Sequence, residues 1–355
     1  MQATLANWRT APHNRWAFHH VRELVPSADI AHDPAAVRLL EGKNSPGLVS
    51  EEFLEQTDTD GMAIVHRGRL VFEHYGNGMT HETPHILMSV SKSMLGVLAA
   101  ELGLDTSRQV AQIVPELAAT AYRGASLRDL LDMRAGIAFD EDYLATSGAI
   151  IDYRKSTGWN PLGPGEAPSD LKGFFSSLKE SDGSHGGRFH YCSPNTDLLG
   201  WVIERATGRR YADLMSERVW KKIGAERSAY ITVDRLGAPR CAGGMCATLR
   251  DLARVGQWLI EERPAFLRDL SQGDRQAWDD GDLRQYYPGM PMRYRSQWYF
   301  LDGLAFGMGI HGQNLFVDAA SEIVIAKLSS QALPLDAERM ALTMRKVAEL
   351  RKALA

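Results

Sequence analysis

Strand-like runs stand near both ends of this chain, and a long helical stretch separates them. Near the front, Met62-Ala63-Ile64-Val65-His66 and Arg69-Leu70-Val71-Phe72-Glu73-His74-Tyr75 flank Arg67-Gly68. Two apolar runs around a two-residue turn containing Gly predict a hairpin. From about residue 295 strand character returns, in 306–310, 314–317 and 323–328. Residues 337–354 then form a closing amphipathic helix with Asp336 as N-cap. Strands at both ends with helices between them imply one sheet built from both ends. The expected organisation is an arm at 1–50, a sheet domain of 51–103 with 250–355, and a helical lobe at 104–249. The cleft between sheet and lobe is where chemistry is expected.

The totals exclude some functions. At 355 residues the chain makes one large domain or two ordinary ones. A net charge of −4 gives no reason to expect nucleic acid or an anionic membrane as partner. No apolar run approaches the ~18 residues of a membrane span. The opening MQATLANWRTAPHNRW lacks the basic-then-apolar pattern of a signal peptide, so a cytoplasmic location is the expectation. Cys192, Cys241 and Cys246 are an odd count, which argues against a disulfide framework. Cys241 and Cys246 lack partners at zinc-like spacing and read as buried thiols. No metal and no cofactor is expected. In the arm, Trp8, Trp16 and Phe18 are the expected anchors.

The stretch from His85 to Leu102 carries the strongest chemical signal. A short apolar approach turns into a helix with apolar residues at three- and four-residue spacing. Ser89 and Lys92 lie three apart at its front, on one face. The helix start also offers unpaired N–H groups and partial positive charge. A serine there can be deprotonated by a neighbouring base. The plain alternative is an N-cap serine and a solvated lysine. Further on, Ser126-Leu127-Arg128-Asp129-Leu130-Leu131-Asp132-Met133 has an N-cap serine with an acid at N3. The loop 137–188, rich in Gly, Pro and Ser, is long enough to be functional or to be built of short pieces. Phe189-His190-Tyr191-Cys192-Ser193-Pro194-Asn195-Thr196-Asp197 places a tyrosine just before a helix. Such a tyrosine can assist a lysine base, whose reference pKa of roughly 10.4 must fall before it acts near neutrality. Helices are also read at 196–207, 211–223 and 249–260, the last with Arg250, Arg254 and Glu261 on its wet side.

Together these segments resemble the serine β-lactamase and penicillin-binding-protein family, on the class C side with its esterase relatives. Ser89-Val90-Ser91-Lys92 matches the first motif, and Tyr191-Cys192-Ser193 matches Tyr-x-Asn with Ser193 in the third place. Ser126 to Gly136 resembles the family's Leu-Leu-x-x-x-x-Gly helix end, and Gly243 to Leu252 its Gly-Gly…Thr-x-x-Asp-Leu segment. The 6-aminohexanoate-dimer hydrolase branch is nearer still. The pieces shared with it are Pro12 to Phe18, Leu87 to Ser93, Asp140-Glu141-Asp142-Tyr143, Tyr191 to Asp197 and Gly309 to Asn314.

The resemblance implies an α/β fold of the β-lactamase/transpeptidase type, a mainly antiparallel sheet flanked by helices. It implies Ser89 as nucleophile, Lys92 as base and Tyr191 as proton relay. The N–H groups of Ser89 and Ile310 would form the oxyanion hole. Tyr143 would reach the leaving amine, and Ser193 and His311 would face substrate. Trp159 and Trp298 are weaker pocket-wall candidates. The third motif, Lys-Thr-Gly, falls on Gly307-Met308-Gly309, so the lysine that would hold a β-lactam is missing. The branch's loop acid that faces an amine falls on Arg154, with Asp152 two residues earlier. Small esters, and some linear amides, are therefore the expected substrates. The alternatives are a β-lactamase or D-Ala-D-Ala peptidase, and a binding protein without turnover on the same scaffold. A homodimer stays open.

Overall fold

The computed structural model describes residues 2–355. Eleven strands run in chain order: β1 (Ser27–Ile30), β2 (Thr59–His66), β3 (Arg69–Tyr75), β4 (His85–Ile86), β5 (Ala229–Thr232), β6 (Met245–Ala247), β7 (Arg293–Arg295), β8 (Trp298–Leu301), β9 (Leu304–Gly309), β10 (Gln313–Asp318) and β11 (Ile323–Ser329). The large sheet has the order β3-β2-β11-β10-β9-β8-β7, with every pair antiparallel. Front and back of the chain meet where β2 pairs with β11, as the two distant strand patterns imply. The hairpin turn is Arg67 and Gly68, both in the left-handed region. Such a turn matches the twist of the strands that it joins.

Side-chain alternation assigns each face of this sheet. Ala63, Val65, Val324, Ala326, Leu315 and Val317 join the core that contains the helix Leu249–Glu262. Met62, Ile64, Ile323, Ile325 and Phe316 face the opposite core with Val347 and Leu350 of the closing helix Ala337–Leu354. That helix is capped by Asp336, as expected. Arg254 departs from expectation, since it is buried on the 249–262 helix rather than on its wet side.

A second sheet of four short strands, β1-β5-β6-β4, was not legible in the sequence. Its members are two to four residues long. Runs that short show no usable alternation. This sheet ties β1 of the arm and β4, just before Ser89, to residues 229–247. In the arm, Trp8 and Phe18 are buried anchors, but Trp16 is 40% exposed and stacks on His20 instead. The long loop is broken into short pieces, with helices Ala149–Ser156 and Leu171–Ser177. All three cysteines are free and buried. Among the described residues no helix is long and apolar enough to cross a membrane.

The helix Val90–Glu101 runs through the middle of the molecule, and Val90 through Ala99 are all buried. Its polar residues Ser91, Lys92 and Ser93 are buried with the rest and each has a hydrogen-bond partner. At Gly96 a Cβ would lie 2.0 Å from the carbonyl oxygen of Ser296. Only glycine lets this helix come so close to the turn before β8.

Candidate active site

Backbone geometry presents Ser89 before any side chain is considered. Met88 has φ 44°, in the left-handed region that a side chain other than glycine's rarely enters. Leu87 is held by its N–H to the Met245 carbonyl at 2.8 Å, and Ser91 Oγ accepts from Met245 N–H at 3.1 Å. The chain therefore turns sharply at Met88 and delivers Ser89 to the head of the helix. The Ser89 hydroxyl makes no cap bond, which leaves it available.

Lys92 fills that availability. Its Nζ donates to Ser89 Oγ at 3.0 Å, to Ser193 Oγ at 2.9 Å and to the Ala242 carbonyl at 2.8 Å. The side chain is 1% exposed, and among the described residues no carboxylate lies at ion-pair distance from it. Burial pulls its pKa down from 10.5 to about 8, and the negative charge of Glu141 opposes the pull. A buried amine loses the hydration of its charged form, so the neutral form gains.

Tyr191 packs its ring under the amine, with Nζ 4.9 Å from the ring centroid. Burial and the Glu141 charge push its phenol pKa up, while a hydrogen bond with Ser89 works against them. The phenol therefore keeps its proton. No hydrogen bond joins Nζ to the phenol oxygen among the described residues.

Glu141 is the residue that sequence reasoning passed over. It sits in the run Asp140-Glu141-Asp142-Tyr143, of which only Tyr143 is assigned a role from sequence. In the fold it accepts from Ser193 N–H at 2.6 Å, from Ser193 Oγ at 2.5 Å and from the Tyr143 hydroxyl at 2.8 Å. Ser193 is the first residue of the helix Ser193–Thr207, so the carboxylate also meets that helix's positive end. A continuous line results: Glu141, Ser193, Lys92, Ser89. Asp197, on the same helix, accepts from Ala242 N–H at 2.7 Å and pairs with Arg240, which also meets the Tyr153 hydroxyl. This buried cluster fixes the Ala242 carbonyl that faces Lys92.

The end of β9 closes the opposite side. A Cβ on Gly309 would lie 2.9 Å from Ser89 N and 2.8 Å from the Leu87 carbonyl oxygen. No side chain fits there, so the backbone of β9 lies directly against the Ser89 N–H. Ile310 follows at the start of a 3-10 turn, Ile310–Gly312.

The Beta-lactamase family profile matches residues 48–349. The chain belongs to the β-lactamase family. It is 37% identical over 353 residues to a 6-aminohexanoate-dimer hydrolase of Paenarthrobacter ureafaciens, covering 93% of this chain and 88% of that one. A solved structure named as a candidate 6-aminohexanoate-dimer hydrolase of Bacillus anthracis superposes with a TM-score of 0.89 at 24% identity, covering 100% and 98% of the two chains. EstCE1, a hydrolase with promiscuous acyltransferase activity, shares the fold at a TM-score of 0.65 and 16% identity, covering 87% and 96%. This member of the β-lactamase family is a hydrolase, and its fold is of the β-lactamase/transpeptidase type.

Several sequence-predicted site residues stand elsewhere. Trp298 is fully buried on β8 and donates its indole N–H to the Ser93 carbonyl at 3.0 Å, so it props the helix from below rather than lining the cleft. His311 is buried, with Nδ1 2.7 Å from the Gln331 carbonyl oxygen and its ring against Phe18. Burial lowers its pKa to about 4, so it is a neutral fixture of the turn. Asp152 is exposed, and no hydrogen bond or ion pair reaches its carboxylate among the described residues. Arg154, next to it but on the inner side of the same helix, is buried and donates to the Tyr143 carbonyl at 3.0 Å. Trp159 is buried, with its ring 3.1 Å from where a Cβ on Gly243 would be; it lies behind Met88 in the same core cluster.

Proposed function

We propose that this chain is a serine hydrolase that cleaves small carboxylic esters, and linear amides, through an acyl-enzyme. The observation that carries the reading is the buried Lys92 amine 3.0 Å from Ser89 Oγ, with its pKa drawn down to about 8. An amine in that range is partly neutral near pH 7 and can take a hydroxyl proton.

The steps follow from the groups present. Lys92 takes the Ser89 proton as Oγ bonds to the substrate carbonyl carbon. The oxygen that gains charge is met by the N–H groups of Ser89 and Ile310, beside the glycine gap at Gly309. When the tetrahedral species collapses, the bond to the leaving group breaks and Tyr191 supplies it with a proton. The phenol holds a proton and hydrogen-bonds with Ser89; it regains a proton from the attacking water in the second step, while the Lys92 ammonium returns its own to Ser89 Oγ. Water then attacks the acyl-enzyme by the same route in reverse, releasing the acid and free Ser89. Lys92 is thus the base and Tyr191 the proton donor to the leaving group. Tyr143, fixed by Glu141 and Arg154, stands beside the leaving group.

Esters are the easier substrates, since an alkoxide leaves with little help. A fluorophosphonate should add its mass to the Ser89 peptide. Ser91 and Ser93 are buried, and Ser93 Oγ donates to the Gln297 carbonyl at 3.0 Å, so neither competes. Label on Ser91 or Ser93 in place of Ser89 would defeat the assignment. A screen of p-nitrophenyl butyrate, 6-aminohexanoate dimer and nitrocefin should rank them in that order, and activity that survives Ser89→Ala would defeat the mechanism.

A further inference from the structure

Lys92 Nζ reaches the Ala242 carbonyl, which stands in a tight turn. The Arg240 carbonyl accepts Gly243 N–H at 3.2 Å and Gly244 N–H at 2.7 Å, and Arg240 N–H donates to the Thr232 carbonyl at 2.9 Å. A Cβ on Gly244 would lie 2.1 Å from Thr232 Oγ1, so the turn needs glycine there. Within it Ala242 offers its two polar groups to different partners. Its carbonyl accepts from Lys92 at 2.8 Å, and its N–H donates to Asp197 Oδ1 at 2.7 Å. The other oxygen of Asp197 accepts from Arg240 and, at 2.5 Å, from the Tyr153 hydroxyl. Asp197, Arg240, Tyr153 and Ala242 are all buried. Asp197 stands four residues after Ser193, on the same face of the helix Ser193–Thr207, and Ser193 Oγ accepts from Lys92 Nζ at 2.9 Å. One helix therefore holds the amine twice, directly through Ser193 and indirectly through Asp197 and Ala242.

A carboxylate grips a backbone N–H strongly, but its charge has a second effect here. A negative charge near a buried amine favours the ammonium form, which cannot act as base. Arg240 cancels that charge. On Lys92 the Asp197 charge works to raise the pKa, and the Arg240 charge works to lower it. For stability alone, an apolar pair of similar volume would often serve as well as a buried ion pair. An apolar pair could not hold the Ala242 N–H. The other titratable groups around Lys92 are Glu141, Tyr191 and Cys192. Among the described residues none of these three has a hydrogen bond to Ala242.

We propose that Asp197 and Arg240 are positioning residues for the base: as a charge-balanced pair, locked by Tyr153, they hold the Ala242 carbonyl against Lys92 Nζ and leave the amine free to lose its proton. The proposal rests on the reading of Lys92 as the base. Both residues act through Ala242, whose carbonyl no substitution of its own side chain removes.

The signs of the two charges test it. The Lys92 Nζ titration is followed by nitrogen NMR on Ser89→Ala, and kcat and KM on p-nitrophenyl butyrate are read with Ser89 intact. Asp197→Asn should move the titration to lower pH, and Arg240→Gln should move it to higher pH. The double variant Asp197→Asn/Arg240→Gln leaves no unpaired buried charge, so its titration should return towards the starting value. All three should lower kcat about tenfold with KM within about twofold, since a misplaced base costs rate rather than binding. Tyr153→Phe keeps both charges, so it should leave the titration in place and lower kcat by less. Shifts of the same sign in both single variants, no shift in either, or full kcat in the double variant would each overturn the clamp. Should the single variants fail to fold, full kcat in the double variant or a displaced titration in Tyr153→Phe would overturn it. A wild-type rate that does not follow the Lys92 titration would instead overturn Lys92 as base, whatever the charge variants do to that titration.

Discussion

Lys92 and Lys327 are both buried amines beside a serine, yet only one sits where a substrate can reach. Lys327 Nζ donates to Ser329 Oγ and, at 3.4 Å, to the Thr57 carbonyl. Burial draws it from 10.5 to about 7, below Lys92, although Asp60 and Asp58 pull it back. By amine chemistry alone Lys327 would be as available in its neutral form as Lys92. The surroundings of the serine decide otherwise. Ser329 is 0% exposed and lies within β11, where its N–H donates to Gln313 Oε1 at 3.0 Å. Ser89 is partly exposed at a helix start, and the backbone of β9 lies beside its N–H. Lys327 belongs to a polar layer with Asp60, His85, Ser330 and Gln331 on which Asn14 of the arm docks. A depressed lysine beside a serine is therefore not enough. The pair also needs access and a place for the oxyanion.

Swapping the serines should give the largest contrast. Ser89→Ala should lower kcat/KM on p-nitrophenyl butyrate by about 10³-fold or more, because the covalent step is lost. Ser329→Ala should leave kcat/KM within about twofold but destabilise by about 1–3 kcal/mol, as removal of a partner from a buried charged group does. Denaturant melts of both variants, beside their kinetics, check the pair. A large loss of activity in Ser329→Ala would break the comparison.

The lysines should separate next. Lys92→Met should cost about 10²–10⁴ in kcat, the range for loss of a positioned base, while Lys327→Met should keep kcat. The wild-type rate should rise with pH through about 8, as Lys92 gives up its proton. Glu141 holds Lys92 up, so Glu141→Gln should move that limb to lower pH. A pH–rate profile that is unchanged in Glu141→Gln would detach the carboxylate from the base.

The smallest effect is on stability. Lys327 has a folded pKa of about 7 against an unfolded value near 10.5. Between those values the unfolded chain binds more protons, so stability rises with pH across that window. Wild type should therefore gain on Lys327→Met as pH goes from about 7 to 10. Urea melts at several pH values check this, and a constant difference between the two proteins would contradict it.

What could be read from sequence alone was whatever depends on neighbours along the chain. The Arg67-Gly68 hairpin, the Asp336 cap, the Ser126 cap with Asp129 at N3, and Ser89 and Lys92 on one helical face are all set within a few residues. Local spacing determines them, and the structure keeps them. What only the tertiary structure decided is what fills the space around those elements. Glu141 becomes part of the Lys92 line because folding brings it to the Ser193 helix start, 52 residues away. Trp298 and His311 leave the site because β8 and the turn after β9 bury them against other elements. Arg154 turns from a pocket charge into a clamp on Tyr143, and Arg9 crosses from the arm to Asn160 and Trp159. Burial, and with it the pKa of Lys92, depends on atoms distant in sequence, so no reading of neighbouring residues could have supplied it.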